Sequence, residues 1–263
     1  MTPVFTKQHG DSVISDSRRL RILADICQQT DGVVTPTVLQ VDRSRGLIDY
    51  QYLDLSNPLT RRIGETDPFW KAGLILSGMH AAAFDYSPDE FRTDPFPLQL
   101  LGVSKCDADM LSEALPPGWF HSDFWHGNIF FLHDDILVVI DPLPASFLFP
   151  DRFILASGAV DVVTMYMSLI AVHPLIRQIT LPLKSRITSA GAFLEAYLHG
   201  RGIGVRDVAD AVRRAADAFA FEWIGKSSQR LAWPVHRIKK AALQKVMKRM
   251  RTARRRRDCE LLP

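Results

Sequence analysis

Near the amino terminus apolar and polar positions alternate in short runs, whereas beyond residue 60 the apolar ones recur at three- and four-residue intervals over long stretches. Alternation marks a half-buried strand, and recurrence at roughly 3.6 residues marks a helix with one buried face. The pattern predicts strands at Val4–Lys7, Thr37–Val41 and Leu47–Leu53, the last two joined by a turn from Asp42 to Gly46. A helix from Ser15 or Asp16 to Gln28 separates the first strand from the second. Asp67-Pro68 opens a helix from Phe69 to about Phe84, because proline is tolerated in a first turn, where its missing N–H has no partner to lose. Further helices are predicted over 105–115, stopped by Pro116-Pro117-Gly118, and over 160–172, 183–200 and 205–224. Tyr86–Leu98 and Pro142–Pro150, rich in proline, read as loop. Strands first and helices afterwards define an α+β chain.

One stretch interrupts the helical part. Ile129-Phe130-Phe131-Leu132 and Ile136-Leu137-Val138-Val139-Ile140 are strand-forming runs around a polar His133-Asp134-Asp135 turn, the pattern of a β-hairpin. In an antiparallel pair the first residue of one strand faces the last of the other. Setting Leu132 opposite Ile136 therefore brings Asn128 level with Ile140 and beside Asp141. Asp123 lies just upstream in a loop that contains Gly127, which gives the backbone room to turn beside an ion or phosphate. Two carboxylates and an amide carbonyl then converge. These are hard oxygen donors of the kind Mg²⁺ takes while it bridges protein carboxylates to nucleotide phosphates.

His121, Asp123, Asn128 and Asp141 resemble the H-x-D-x-x-x-x-N catalytic loop and following metal-binding Asp of the aminoglycoside phosphotransferase and choline kinase group. The resemblance implies a protein-kinase-like two-lobe fold with a reduced, strand-rich N-terminal lobe over 1–54 and a mainly helical C-terminal lobe over 55–236. It implies a kinase activity moving the γ-phosphate of ATP or GTP to a hydroxyl of a small molecule or sugar. Asp123 would take the hydroxyl proton with His121 beside it, and Asn128 and Asp141 would hold Mg²⁺. Lys7 would meet the phosphates, and the Tyr50–Asp54 segment, with Tyr52 and Leu53, would meet the adenine. Leu74–His80 resembles the family's helix ending in Leu-His, Pro36–Leu39 its Val-Pro-x-Val-Leu strand, and Asp161 the buried Asp that steadies the catalytic loop.

Three departures stand beside the likeness. Ser122 occupies a position where the family has Gly. Arg19 falls where a helix Glu would pair with the strand Lys, with Asp16 one turn earlier as a stand-in. The chain begins at about the lysine-bearing strand, so no glycine-rich hairpin precedes Lys7. A nucleotide-binding protein without turnover is the alternative these departures raise. A metal-dependent hydrolase using His121, Asp123 and His126 is a second alternative, and Trp125 and His126 are candidates to face a substrate.

Charge adds one feature. Eleven of the 32 basic residues fall between Arg237 and Arg257, where no acid occurs, leaving residues 1–236 with a formal charge of −6. Ile238, Ala242, Val246 and Met250 recur every fourth residue in this segment, which predicts a basic helix over the 237–263 tail suited to an anionic membrane face. Nucleic acid is disfavoured as a partner, because no aromatic side chains interleave the bases. Cys27, Cys106 and Cys259 are few, odd in number and scattered, which argues against a disulfide framework. With no apolar leader behind Lys7, His9 and Asp11, the expected location is the cytoplasm, peripheral at the inner membrane face if the basic tail docks there.

Overall fold

The computed structural model describes residues 4–83, 96–115, 117–133, 136–142, 155–171 and 181–228. Its first part contains β1 (Val4–Gln8), α1 (Val13–Gln28), β2 (Val33–Val34), β3 (Val38–Asp42) and β4 (Leu47–Gln51). Strands β1, β4 and β3 form an antiparallel sheet in that spatial order. Phe5 faces Tyr50 and Lys7 faces Ile48 across the β1–β4 pair, so these four side chains share one face. Ile48 and Tyr50 are buried there against Val13 and Leu20 of α1. The alternation read in the sequence is the signature of this single covered face.

The second part holds α2 (Asp67–Ala81), α3 (Phe96–Leu100), α4 (Lys105–Ala114), β5 (Pro117–Trp119), β6 (Ile129–His133), β7 (Ile136–Val139), β8 (Leu155–Ser157), α5 (Ala159–Ile170), α6 (Leu183–Gly200) and α7 (Val205–Ser228). Every residue of α5 is buried, as its nearly continuous apolar sequence requires of a central helix. Helices α6 and α7 cover α5, and α2 lies along α6. A Cβ at Gly73 would stand 2.3 Å from the Phe193 carbonyl oxygen, so glycine is what lets the α2 and α6 backbones meet. One large apolar core joins these helices to the underside of the hairpin.

Several expectations need correction. Phe96–Leu100 is helical, although the 86–98 segment read as loop; Leu98 is fully buried, and that anchor outweighs the breaking effect of the neighbouring prolines. Pro117–Trp119 does more than stop α4, because it pairs antiparallel with Leu155–Ser157, a strand the sequence pattern did not reveal. The two-residue strand β2 was also missed; it pairs parallel with Leu137–Val138 and joins the amino-terminal segment to the hairpin sheet. Runs this short carry no periodicity to read. The 143–150 loop and the 237–263 basic helix lie outside the described residues. Among those described, no helix is long and apolar enough to cross a membrane.

Candidate active site

The site is set by the foot of the β6–β7 hairpin. Ile129 faces Val139, and the Ile140 N–H donates to the Asn128 carbonyl at 3.1 Å, which places Asn128 level with Ile140 as the sequence pairing predicts. Near the turn the register slips, so His133 and not Leu132 stands opposite Ile136. The slip lies at the far end and leaves the foot unaffected.

Asn128 Nδ2 donates to the Asp123 carboxylate at 2.9 Å and to the Asp123 carbonyl at 3.0 Å. The Asp123 backbone carbonyl can only accept, so the amide nitrogen must be the atom facing it and the Asn128 carbonyl oxygen is left for another donor or a cation. Asp141 is reached from the other side by Lys7, whose Nζ stands 2.5 Å from its Oδ1. Both side chains of this pair are more than one-third exposed, so the contact contributes less than about 1 kcal/mol and is readily exchanged. Burial pushes the Asp123 carboxyl up from 3.8 to about 7; the charges of Asp141 and Asp161 add to the rise, and the Asn128 hydrogen bond and Lys7 oppose it. The group is thus poised between its neutral and ionised forms near pH 7.

Beneath these groups lies a buried brace. Asp161, fully buried in the first turn of α5, accepts the His121 N–H at 2.5 Å and the Ser122 N–H at 2.8 Å. His80 Nε2 donates to the same carboxylate at 3.0 Å, and its Nδ1 pairs with the Tyr197 hydroxyl at 2.8 Å. The fully buried His121 donates from Nε2 to the Ile140 carbonyl at 2.9 Å, so its Nδ1 is the unprotonated nitrogen that receives the Asp123 N–H at 3.3 Å. Burial lowers its pKa to about 4, which keeps the ring neutral. With both nitrogens occupied it ties the Asp123 loop to the end of β7.

The two sharp turns in the backbone fall at Ser122 (φ 69°) and Asp141 (φ 53°), and neither is glycine. Such conformations cost on the order of 1 kcal/mol each and persist where neighbours over-determine them. Gly127 has a different reason from the turn inferred for it. The Trp125 indole folds over it, and a Cβ there would lie 2.3 Å from the ring.

Lys7, Tyr52, Leu53 and Asp141 line one cleft of about 570 Å³ between the β1–β4–β3 sheet and the hairpin, together with Phe5, Thr35, Pro36 and Tyr50. Asp123 and Asn128 do not line it; Asn128 connects to it through its carbonyl, which accepts the N–H of the lining residue Ile140. Tyr50 belongs to the segment expected to meet the adenine, whereas Thr35 escaped notice in the sequence, because a threonine does not signal a ligand by itself. Asp16 does not replace the helix Glu. Its carboxylate holds His9 Nδ1 at 3.0 Å and Ser12 Oγ at 2.6 Å, and His9 Nε2 continues to the Tyr50 hydroxyl at 2.7 Å. His126 faces inward, fully buried, with Nδ1 on Ser168 Oγ at 2.9 Å, whereas Trp125 is partly exposed. Among the described residues no three His, Cys, Asp or Glu side chains gather as a metal site. The hydrolase ligand set of His121, Asp123 and His126 is therefore not assembled.

No protein-family model matches the chain, and no curated protein matches it in sequence. Solved structures do share its architecture. A macrolide 2′-phosphotransferase from Brachybacterium faecium superposes with TM-score 0.52 at 16% identity, covering 91% of this chain and 83% of that one. A choline kinase from Cryptosporidium parvum gives 0.55 at 10% identity, over 91% and 78%. A glucosamine kinase in complex with glucosamine, ADP and inorganic phosphate gives 0.53 at 18%, over 94% and 74%. The chain has the α+β, two-lobe, protein-kinase-like fold of these small-molecule phosphotransferases.

Proposed function

We propose that the chain is a Mg²⁺-dependent phosphotransferase that moves the γ-phosphoryl group of ATP or GTP to a hydroxyl of a small molecule or sugar. The observation that carries this reading is the Asn128 amide clasping Asp123 at the foot of a hairpin whose other strand leads into Asp141, which lines a cleft with Lys7 of the opposite sheet. The division into a reduced N-terminal lobe over 1–54, a helical lobe over 55–236 and a basic tail belongs to the same proposal.

Asp123 is assigned the acceptor hydroxyl. A carboxyl poised near pH 7 takes up a proton more effectively than one at its ordinary value, and the hydrogen bond from Asn128 fixes its orientation. His121, neutral and buried, positions that loop. The donor set suits Mg²⁺: the Asn128 carbonyl oxygen is unspent on Asp123, and Asp141 already attracts a cation in the form of the Lys7 ammonium. Asn128 and Asp141 would hold the metal, which neutralises phosphate charge when bound. Lys7, released from its exposed pair, turns to the phosphates. Backbone groups at Tyr52 and Leu53 receive the adenine, since these residues line the cleft between the two parts of the chain.

Acceptors named for the structural neighbours set the trial panel: an amino sugar, choline and a macrolide. Transfer of label from γ-labelled ATP or GTP to any member, abolished by Asp123→Asn, supports the assignment. Nucleotide binding with no transfer to any acceptor and no hydrolysis favours the binding-only reading. The tail's basic helix is proposed to dock this catalytic unit on anionic membrane, as salt-sensitive sedimentation with anionic but not neutral vesicles would show.

A further inference from the structure

Arg19 carries a long, charged side chain, yet only 1% of it is exposed. From α1 its Nε donates to the Pro142 carbonyl at 2.6 Å, and its Nη2 donates to Ser122 Oγ at 3.0 Å. The His121 and Phe120 carbonyls lie at 3.4 and 3.5 Å from Nη2, and the guanidinium stands over the Phe120 ring at 5.8 Å. One rigid fork therefore grips the residue before Asp123 and the residue after Asp141. Those are adjacent to the two carboxylates that must keep a fixed separation, and Ser122 and Asp141 are, among the described residues, the two non-glycine residues held at positive φ. A hydroxyl at position 122 has a use that glycine could not supply: it accepts from Arg19 and donates to the His121 carbonyl. Lys7 pairs with Asp141, Asp16 holds His9 and Ser12, and the Arg19 guanidinium ties α1 to both carboxylate-bearing segments.

We propose that Arg19 is a positioning residue that, with Ser122 as its seat, sets the Asp123 loop and the Asp141 turn at the spacing Mg-nucleotide binding requires. This deepens the proposed function and rests on it. A buried guanidinium is costly to desolvate, and its planar fork fulfils hydrogen bonds in two directions at once; an ammonium could satisfy one segment but not hold both in register. The expected signature is a loss confined to the metal-dependent part of nucleotide affinity, because the cleft residues that meet the adenine belong to other elements.

The test is calorimetric titration of ADP with Mg²⁺ and with EDTA into wild type, Arg19→Lys, Arg19→Met, Ser122→Gly and the surface control Arg21→Met. The ratio of the two affinities is the readout. Charge-assisted hydrogen bonds of this kind predict that Arg19→Met lowers the ratio about tenfold while the EDTA affinity stays within about twofold, with Arg19→Lys intermediate. Ser122→Gly relieves the φ of 69° and so folds even if the arginine variants do not; it is expected to lower the ratio about threefold without lowering the melting temperature. An unchanged ratio in folded Arg19→Met, or in Ser122→Gly where Arg19→Met does not fold, overturns the proposal. Should wild type bind no ADP in either condition, the phosphotransferase reading fails instead. Amide exchange in the free protein then judges the spacing role: acceleration at residues 120–123 and 141, with β4 unaffected in Ser122→Gly, sustains it, and uniform exchange overturns it.

Discussion

Replacing Asp123 with Asn should make the protein more stable while removing its assigned chemistry. The wild-type carboxyl has its pKa raised from 3.8 to about 7, with burial the largest cause. A group whose pKa is higher in the fold than in the unfolded chain binds its proton more tightly when folded. The wild type therefore has its full stability below about pH 4, loses it progressively as pH rises toward 7, and carries the whole penalty above that. A rise of about three pH units corresponds to at most about 4 kcal/mol, taking about 1.4 kcal/mol per unit. Asn has nearly the same shape, keeps an oxygen to accept from Asn128 Nδ2, and does not titrate. At about 2–4 °C per kcal/mol for a chain of this size, Asp123→Asn should melt roughly 5–10 °C above wild type at pH 8.5 and about half as far above it at pH 5.5. Thermal melts of the metal-free protein in EDTA at both pH values measure this. A variant that melts below wild type, or gains equally at the two pH values, refutes the claim that a half-buried, high-pKa carboxylate sits at position 123.

The remaining expectations concern the groups around it. Asp141→Ala should lower ADP affinity about tenfold or more in Mg²⁺ and hardly at all in EDTA, because the loss falls on the proposed metal ligand; equal losses in both conditions would place Asp141 outside the metal's reach. Asp161→Asn turns an amide N–H toward the His121 and Ser122 N–H donors and leaves one of them unpaired in a fully buried site, so the melting temperature should fall by about 5–15 °C; a shift under 2 °C would show that this brace is slack. Alkylation at pH 8 should modify the exposed Cys106 and spare Cys27, whose buried thiol is pushed up to about 12; mass-mapped labelling of Cys27 in the folded protein would contradict its burial.

Much of the hairpin foot is legible in the sequence, because strand pairing is a matter of counting and the apolar runs on either side of the His133 turn are unambiguous. Asn128 stands level with Ile140, next to Asp141 in the chain, for that reason, even though the tip slips by one residue. The long helices were legible for the same cause: each buries a continuous apolar face, and α5 buries all of its surface. What escaped is tertiary in origin. Strands β2, β5 and β8 consist of two or three residues and exist through their partners, not through any pattern of their own. Gly127 looked like a turn residue and is instead the floor beneath Trp125, a relation between neighbouring side chains that spacing cannot express. Arg19 was visible as an unexpected residue at a helix position. Its reach to Pro142 and Ser122 depends on how α1 sits against two distant loops, which no local pattern encodes.

The central claim is that Asn128 and Asp141, with Asp123 alongside, form the metal end of a nucleotide cleft. A crystal structure with Mg²⁺ and ADP tests it most directly. The metal is expected about 2.1 Å from the Asn128 carbonyl oxygen and an Asp141 carboxylate oxygen, with Lys7 moved onto a phosphate and the adenine against Tyr52 and Leu53. Nucleotide bound away from this cleft, or bound in it with Asp141 still paired to Lys7 and no metal between them, would contradict it.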